Sequence, residues 1–250
     1  DVCSSDLVKT YKVYFYSIIA VLLAVYLYLV RVSLLMASHG SISAADFYYI
    51  AQQSYIWVYI LIPFHTIFFI LYTNQKLSVL RIIRYDSKKK IFWNLLLKTD
   101  AWIMIGALFM TIFVYGIGYY FLRTPINWNN PASMFVFEMG QSTEVSILEV
   151  AVRFYAAYVV KAILVVNTMW LLFWFKKNIV LAIVIPLVIG MLEIFYKNIV
   201  IFYNFWKADY EWLSGQTGFI KYIICFVVYQ IIYFIVVQVF AERKDYLNEQ

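Results

Sequence analysis

Charge is scarce in this chain: Asp, Glu, Lys and Arg make up 14% of its 250 residues, against roughly 25% in a soluble domain. That excludes an ordinary water-solvated surface. Apolar residues reach 64% and the mean hydropathy is +0.78, which is more apolar surface than a compact fold of this length hides from water. Lipid must solvate much of it. Glycine (8) and proline (4) are too few for collagen-like or low-complexity sequence. The two cysteines, Cys3 and Cys225, provide no disulfide framework and no thiolate zinc cluster. His39 and His65 lack the H-E-x-x-H spacing of a zinc hydrolase, and no G-x-x-x-x-G-K-S/T loop is present to cradle a nucleotide. No Ser/His, paired-Asp or Glu-rich constellation points to an intramembrane protease. Neither enzyme chemistry nor a resident cofactor or metal is expected in this chain.

What is present is long apolar runs. Six reach the roughly 20 residues that cross a bilayer: residues 13–36, 54–72, 101–122, 150–175, 178–202 and 218–240. They are continuous rather than alternating, so the expectation is an all-α polytopic membrane protein with six transmembrane helices, not a barrel. The cationic residues orient it. Lys76, Arg81, Arg84, Lys88, Lys89, Lys90 and Lys98 crowd residues 74–100, whereas residues 37–53 hold no Lys or Arg and residues 123–149 hold one Arg with three Glu. Lys9 and Lys12 precede the first run, Lys176 and Lys177 join the fourth and fifth, and Arg243 and Lys244 follow the sixth. By the positive-inside rule both termini are cytoplasmic. The net charge of +6 thus belongs to a membrane surface and anionic lipid, not to nucleic acid. Asp1–Leu7 does not resemble the lead-in to a membrane helix; it is expected to be non-native, and no function is placed on it.

The most informative stretch is Leu80–Thr99, LRIIRYDSKKKIFWNLLLKT. Asp86 or Ser87 is a helix-capping residue, lysines follow, and Ile91, Phe92, Leu95 and Leu96 recur at helical spacing. This predicts a short amphipathic helix along the inner surface. It is either held by lipid headgroups or docks a cytoplasmic partner with Phe92 and Trp93 as anchors. The pattern of Arg, then Arg-Tyr-Asp-Ser, a basic run and Trp, between the second and third of six spans, resembles permease subunits of type 2 ATP-binding cassette exporters. It is closest to the small bacterial permeases of antimicrobial-peptide and bacteriocin export or immunity. The resemblance implies that this loop is a coupling helix seated on a separate ATPase subunit, with Arg81, Arg84, Ser87, Lys88 and Trp93 at the matching positions. Asp86 stands where that family carries a small residue. The resemblance further implies ATP and Mg in the partner ATPase, a second permease subunit (homo- or heterodimer), a bacterial plasma membrane, and short outer re-entrant helices at 204–217.

Two other classes fit the composition: a non-transporting immunity or sensor protein, and a secondary transporter. The latter ordinarily shows internal repeats, broken helices and a midplane ion site; no repeat relates the two halves, though Pro63 and Pro186 both interrupt spans. The aromatic outer loops suit an amphipathic substrate and an ordinary interfacial belt equally. Arg31 and Arg153 read as snorkelling anchors near the outer surface, and His65 as a packed histidine hydrogen-bonded to a neighbouring helix. Lys161 and Glu193 are the charges a membrane core tolerates least. Each stands the same number of residues from the tight inner turn at 176–178. Depth counting therefore predicts an intramembrane ion pair across a helical hairpin.

Overall fold

The computed structural model describes residues 2–76, 88–176, 178–196, 198–202, 204–216 and 219–241. In chain order these form α1 (Val2–Met36), α2 (Ala44–Ala51), α3 (Ser54–Ile56), a π-helical turn (Trp57–Leu61), α4 (Ile62–Lys76), α5 (Lys88–Leu122), α6 (Met134–Met139), α7 (Ile147–Lys176), α8 (Ile179–Phe195), a 3-10 turn (Asn204–Trp206), α9 (Tyr210–Leu213) and α10 (Phe219–Ala241). The described chain is helical, and its one β contact is an isolated bridge between Ser41 and Ser133. Four segments are long and apolar enough to cross a membrane: Tyr16–Met36, Ser54–Thr73, Lys90–Leu122 and Ile147–Lys176. Ile179–Phe195 and Tyr222–Gln238 are apolar but shorter.

The central helix is α7, which packs against α5, α8, α4 and α2. Its middle is buried on every side, with Ala157, Lys161, Ala162, Val165, Val166, Asn167 and Met169 at 0% exposure. Leucine, isoleucine and valine side chains on α1, α5 and α10 are exposed instead, as lipid-facing surfaces are.

Two sequence expectations change, and the interruption expected at Pro63 takes the form of a π turn. The stretch 80–99 is not a separate surface helix from Lys88 onward, because α5 runs unbroken from Lys88 to Leu122. No proline or glycine interrupts it before Gly106, and its apolar stripe of Ile91, Phe92, Leu95 and Leu96 is buried in the bundle. One helical period describes both a lipid-facing and a helix-facing stripe. The fifth span, expected over 178–202, ends at Phe195, after which Tyr196 is extended (φ −120°, ψ 94°). There the side chain of Glu193 accepts from the N–H groups of Ile201 and Phe202 at 2.7 and 2.8 Å, and the Asn204 amide donates to the carbonyls of Glu193 and Ile199. These bonds fold an apolar stretch back as a turn. The second span is interrupted at the π turn just ahead of Pro63. Proline has no N–H for the Tyr59 carbonyl and its ring crowds that group, so the preceding turn widens.

α7 and α8 pack together as the expected hairpin. Asn178 caps α8, its Oδ1 accepting from Val180 and Leu181 N–H at 2.9 and 3.2 Å, and α8 packs back along α7.

The short helix α2 lies in direct contact with α5. A Cβ added at Gly118 would meet the Ala44 Cα at 2.9 Å, whereas one at Gly116 would meet nothing within 4 Å. Glycine costs a helix about 0.5–1 kcal/mol relative to alanine, so the two substitutions should diverge in sign. Gly116→Ala is expected to raise the thermal unfolding midpoint in detergent. Gly118→Ala should lower it, by about 1–3 kcal/mol of overpacking. Equal shifts would contradict the placement of α2.

Candidate functional site

The polar groups of the bundle are organised by α2, seven of whose eight residues are buried. Its first turn carries Asp46, 0% exposed. One carboxylate oxygen accepts from the backbone N–H and hydroxyl of Ser43 at 2.7 and 2.8 Å. The other accepts from Trp128 Nε1 at 2.9 Å and from the Tyr210 hydroxyl at 2.8 Å. Trp128 belongs to the loop between α5 and α6, and Tyr210 to α9, so one side chain joins three segments. Rings close over it: Trp128 stacks on Phe135 (4.6 Å between centroids), Tyr49 on Tyr210 (4.0 Å), and Tyr210 meets both Trp128 and Phe135 edge-on. Burial raises the Asp46 carboxyl above its ordinary value, outweighing the hydrogen bonds from Ser43, Tyr210 and Trp128, which favour the charged form.

At the other end of α2, Gln52 (1% exposed) turns into the bundle. Its Oε1 accepts from Lys161 Nζ at 2.7 Å and from Trp57 Nε1 at 3.0 Å, and its Nε2 donates to the Phe154 carbonyl at 3.4 Å. The Lys161 ammonium also stands 5.0 Å from the Trp57 ring centre, a cation–π distance. Trp57 occupies the π turn, and its ring packs on Tyr158 of α7 at 5.1 Å. Lys161 and Glu193 are 0% and 2% exposed. The structure therefore brings both predicted charges into the buried core. It gives Lys161 the Gln52 oxygen and Glu193 the returning backbone at Ile201 and Phe202. Gly190 lets α8 close on the second span, since a Cβ there would meet Ile62 Cδ1 at 2.8 Å.

His65 is buried (4% exposed) and lies edge-on to Tyr158 at 6.2 Å. Its Nε2, expected to bond a neighbouring helix, has no hydrogen-bond partner among the described residues. Arg153 is not a free anchor either. It pairs with Glu149 at 3.0 Å, donates to the Trp212 carbonyl at 3.3 Å and lies 5.5 Å from the Trp212 ring, tying α7 to α9. Arg31 is exposed near the outer end of α1. The segment expected to hold short outer helices contains the 3-10 turn and α9.

Of the residues expected to dock an ATPase, Arg81, Arg84 and Ser87 lie outside the described residues, and Lys88 opens α5. Phe92 does not face outward. It is 1% exposed, with its ring 5.0 Å from Trp174 of α7. Trp93 is half-buried with its ring 5.1 Å from Phe234 of α10. Phe92 is thus an internal contact, and Trp93 is partly engaged inside the bundle.

Asp46, Gln52, Trp128 and Tyr210 escaped the sequence reading. A signal existed for Asp46, the one charged residue in the outer segment 37–53. Gln52 had none, because hydropathy assigns it to an outer loop. Among the described residues no group of three or more His, Cys, Asp or Glu side chains is placed to hold a metal. No protein-family model, curated protein or solved structure matches the chain.

Two outcomes follow from this geometry. Gln52→Leu removes the oxygen that receives Lys161 and should cost about 1.5–3 kcal/mol, the range for a hydrogen bond to a charged group. Adding Lys161→Met should restore much of that loss, which equilibrium unfolding of the single and double variants in detergent measures; additive losses would contradict the coupling. For Asp46, a carboxyl raised in the folded state binds a proton more tightly than in the unfolded chain. Its contribution to stability is then fully present below the unfolded value of 3.8 and is lost as pH rises through the higher folded value. Relative to Asp46→Asn, the wild type should gain stability as pH falls from neutrality toward 4, checked by thermal midpoints across that range.

Proposed function

We propose that the chain is the membrane-spanning permease subunit of a type 2 ATP-binding cassette exporter. In this reading α8 and α10 complete six spans, both termini are cytoplasmic, and the membrane is a bacterial plasma membrane. The chain moves a peptide or other amphipathic substrate outward. ATP and Mg are bound by a separate cytoplasmic ATPase subunit, and a second permease subunit completes the pathway.

The observation that carries this reading is the clamping of the inner end of α5. The basic residues that precede Lys88 in sequence are followed by one continuous helix, whose first turns are fastened to α7 by Phe92 on Trp174 and to α10 by Trp93 on Phe234. A push on the start of this helix is delivered to two further helices. One of these is α7, which carries Lys161 at the centre of the bundle. Phe92 and Trp93 thereby change role. They transmit load inside the permease, while the contact with the ATPase falls to the basic residues Arg81, Arg84 and Lys88 with Ser87.

The test separates the two roles. In proteoliposomes the chain and a candidate ATPase subunit should transport only with ATP. Arg81→Glu with Arg84→Glu should abolish co-purification of the ATPase. Phe92→Ala with Trp93→Ala should leave co-purification intact and lower ATP-driven transport at least tenfold. Transport without any ATPase would overturn the proposal in favour of a secondary transporter, and absence of both transport and ATPase binding would favour the immunity or sensor class.

A further inference from the structure

The helix α5 is longer than a bilayer requires. Its apolar part, Lys90–Leu122, has 33 residues. At 1.5 Å per residue that is about 50 Å, whereas the hydrocarbon core of a bilayer is about 30 Å thick. Exposed aromatic side chains mark the part that the core covers. Trp102 is 57% exposed near one end and Tyr120 67% exposed near the other, with Tyr119 and Phe121 exposed beside it. From Trp102 to Tyr120 the helix measures about 27 Å, so two interfacial aromatic belts frame one hydrocarbon thickness. Between them α5 exposes Met104, Ile105, Leu108, Phe109 and Ile112 and carries no charged residue.

An exposed cation stands just beyond each belt, Arg123 at one end and Lys98 at the other. Their surroundings differ. The Arg123 guanidinium lies over the rings of Tyr120 and Tyr119, at 5.6 and 6.0 Å from their centres. Lys98 makes no hydrogen bond, ring contact or ion pair among the described residues, and nearby Asp100 does not pair with it. It follows Trp102 on the same face of the helix, one turn and about 6 Å further out. The headgroup region adds about 5–8 Å to each side of the hydrocarbon core, so the Lys98 ammonium is at the level of lipid phosphates.

The charge around it selects among lipids. Lys90, about two turns nearer the helix start, is exposed as well. Lys88 and Lys89 adjoin it, and Asp100 is the one acid of α5. A phosphate that carries its own ammonium headgroup is already neutralised within the lipid. Unopposed lysines therefore favour a phospholipid with net negative charge. We propose that α5 binds the headgroup of one anionic phospholipid at Lys98, with the Trp102 indole at the chain boundary and an acyl chain along Ile105, Phe109 and Ile112. The site requires only that α5 cross a bilayer, so it stands or falls separately from the proposed function.

The experiment uses the purified full chain in phosphatidylcholine nanodiscs with and without phosphatidylglycerol. Lipids retained on the protein are counted by native mass spectrometry. Wild type should retain phosphatidylglycerol in preference to phosphatidylcholine. Lys98→Gln should weaken the first phosphatidylglycerol bound about fivefold, the worth of one lysine at an anionic surface. Lys98→Arg and Arg123→Gln should bind it as wild type does. Phosphatidylglycerol should also raise the thermal midpoint of wild type by about 2–4 °C and leave that of Lys98→Gln unchanged. Equal midpoints of the two proteins in phosphatidylcholine alone show that the variant is folded. Phosphatidylglycerol binding by Lys98→Gln that matches wild type would overturn the proposal, as would an equal loss in Arg123→Gln. The same rise in midpoint with inorganic phosphate in place of phosphatidylglycerol would overturn it too, since the site would then take a free anion.

Discussion

A lysine ammonium inside a helical bundle has no water to turn to, and at Lys161 the oxygen that replaces water comes from Gln52, 2.7 Å away. This contact constrains everything around it. Gln52 ends α2, so α2 must reach down beside α7 rather than float on the outer surface. For α2 to come so close, Gly118 must lack a side chain opposite Ala44. The same Gln52 oxygen takes the Trp57 indole N–H, which places the first turn of the second span over Lys161. Gly190 then admits α8 against that turn. The helices around the centre of the bundle are arranged so that one positive charge is hydrogen-bonded in a medium where an unmet charge costs several kcal/mol.

The outer cap repeats the logic with the opposite sign. Asp46 is a buried carboxylate whose donors come from Ser43, Trp128 and Tyr210, segments that share no secondary structure with one another. Aromatic rings exclude water from the cluster, which strengthens each of these hydrogen bonds while making their loss more costly. Short α2 thus holds two buried polar groups in place, its own Asp46 side chain at one end and the Lys161 side chain of α7 at the other.

Much of the architecture was legible because hydropathy measures what lipid requires. Long apolar runs became helices, and Lys161 and Glu193 stood out as charges inside them. Counting residues from the turn at Asn178 placed both in the buried core. The partners of these charges were not legible. Gln52 is polar and lies beyond an apolar run, so only tertiary packing shows that it points inward. Phe92 and Trp93 show the ambiguity of a period: the stripe that fits an interfacial helix also fits a helix pressed on Trp174 and Phe234. The early end of α8 depends on a side chain, Glu193, capturing backbone N–H groups at Ile201 and Phe202, a competition that hydropathy does not register. Pro63 announced an interruption, but not that the chain would answer with a wider turn that carries Trp57.

The bond between Asp46 and Tyr210 joins residues 164 positions apart, and this has a consequence for biogenesis. In the proposed topology Asp46 crosses the membrane before Tyr210 has been synthesised, so closure of the cap waits for α8 and α9 to take their places. A protein truncated or misplaced before α9 would leave Asp46 without the Tyr210 hydroxyl, and Tyr49 and Trp128 without the ring that packs on them.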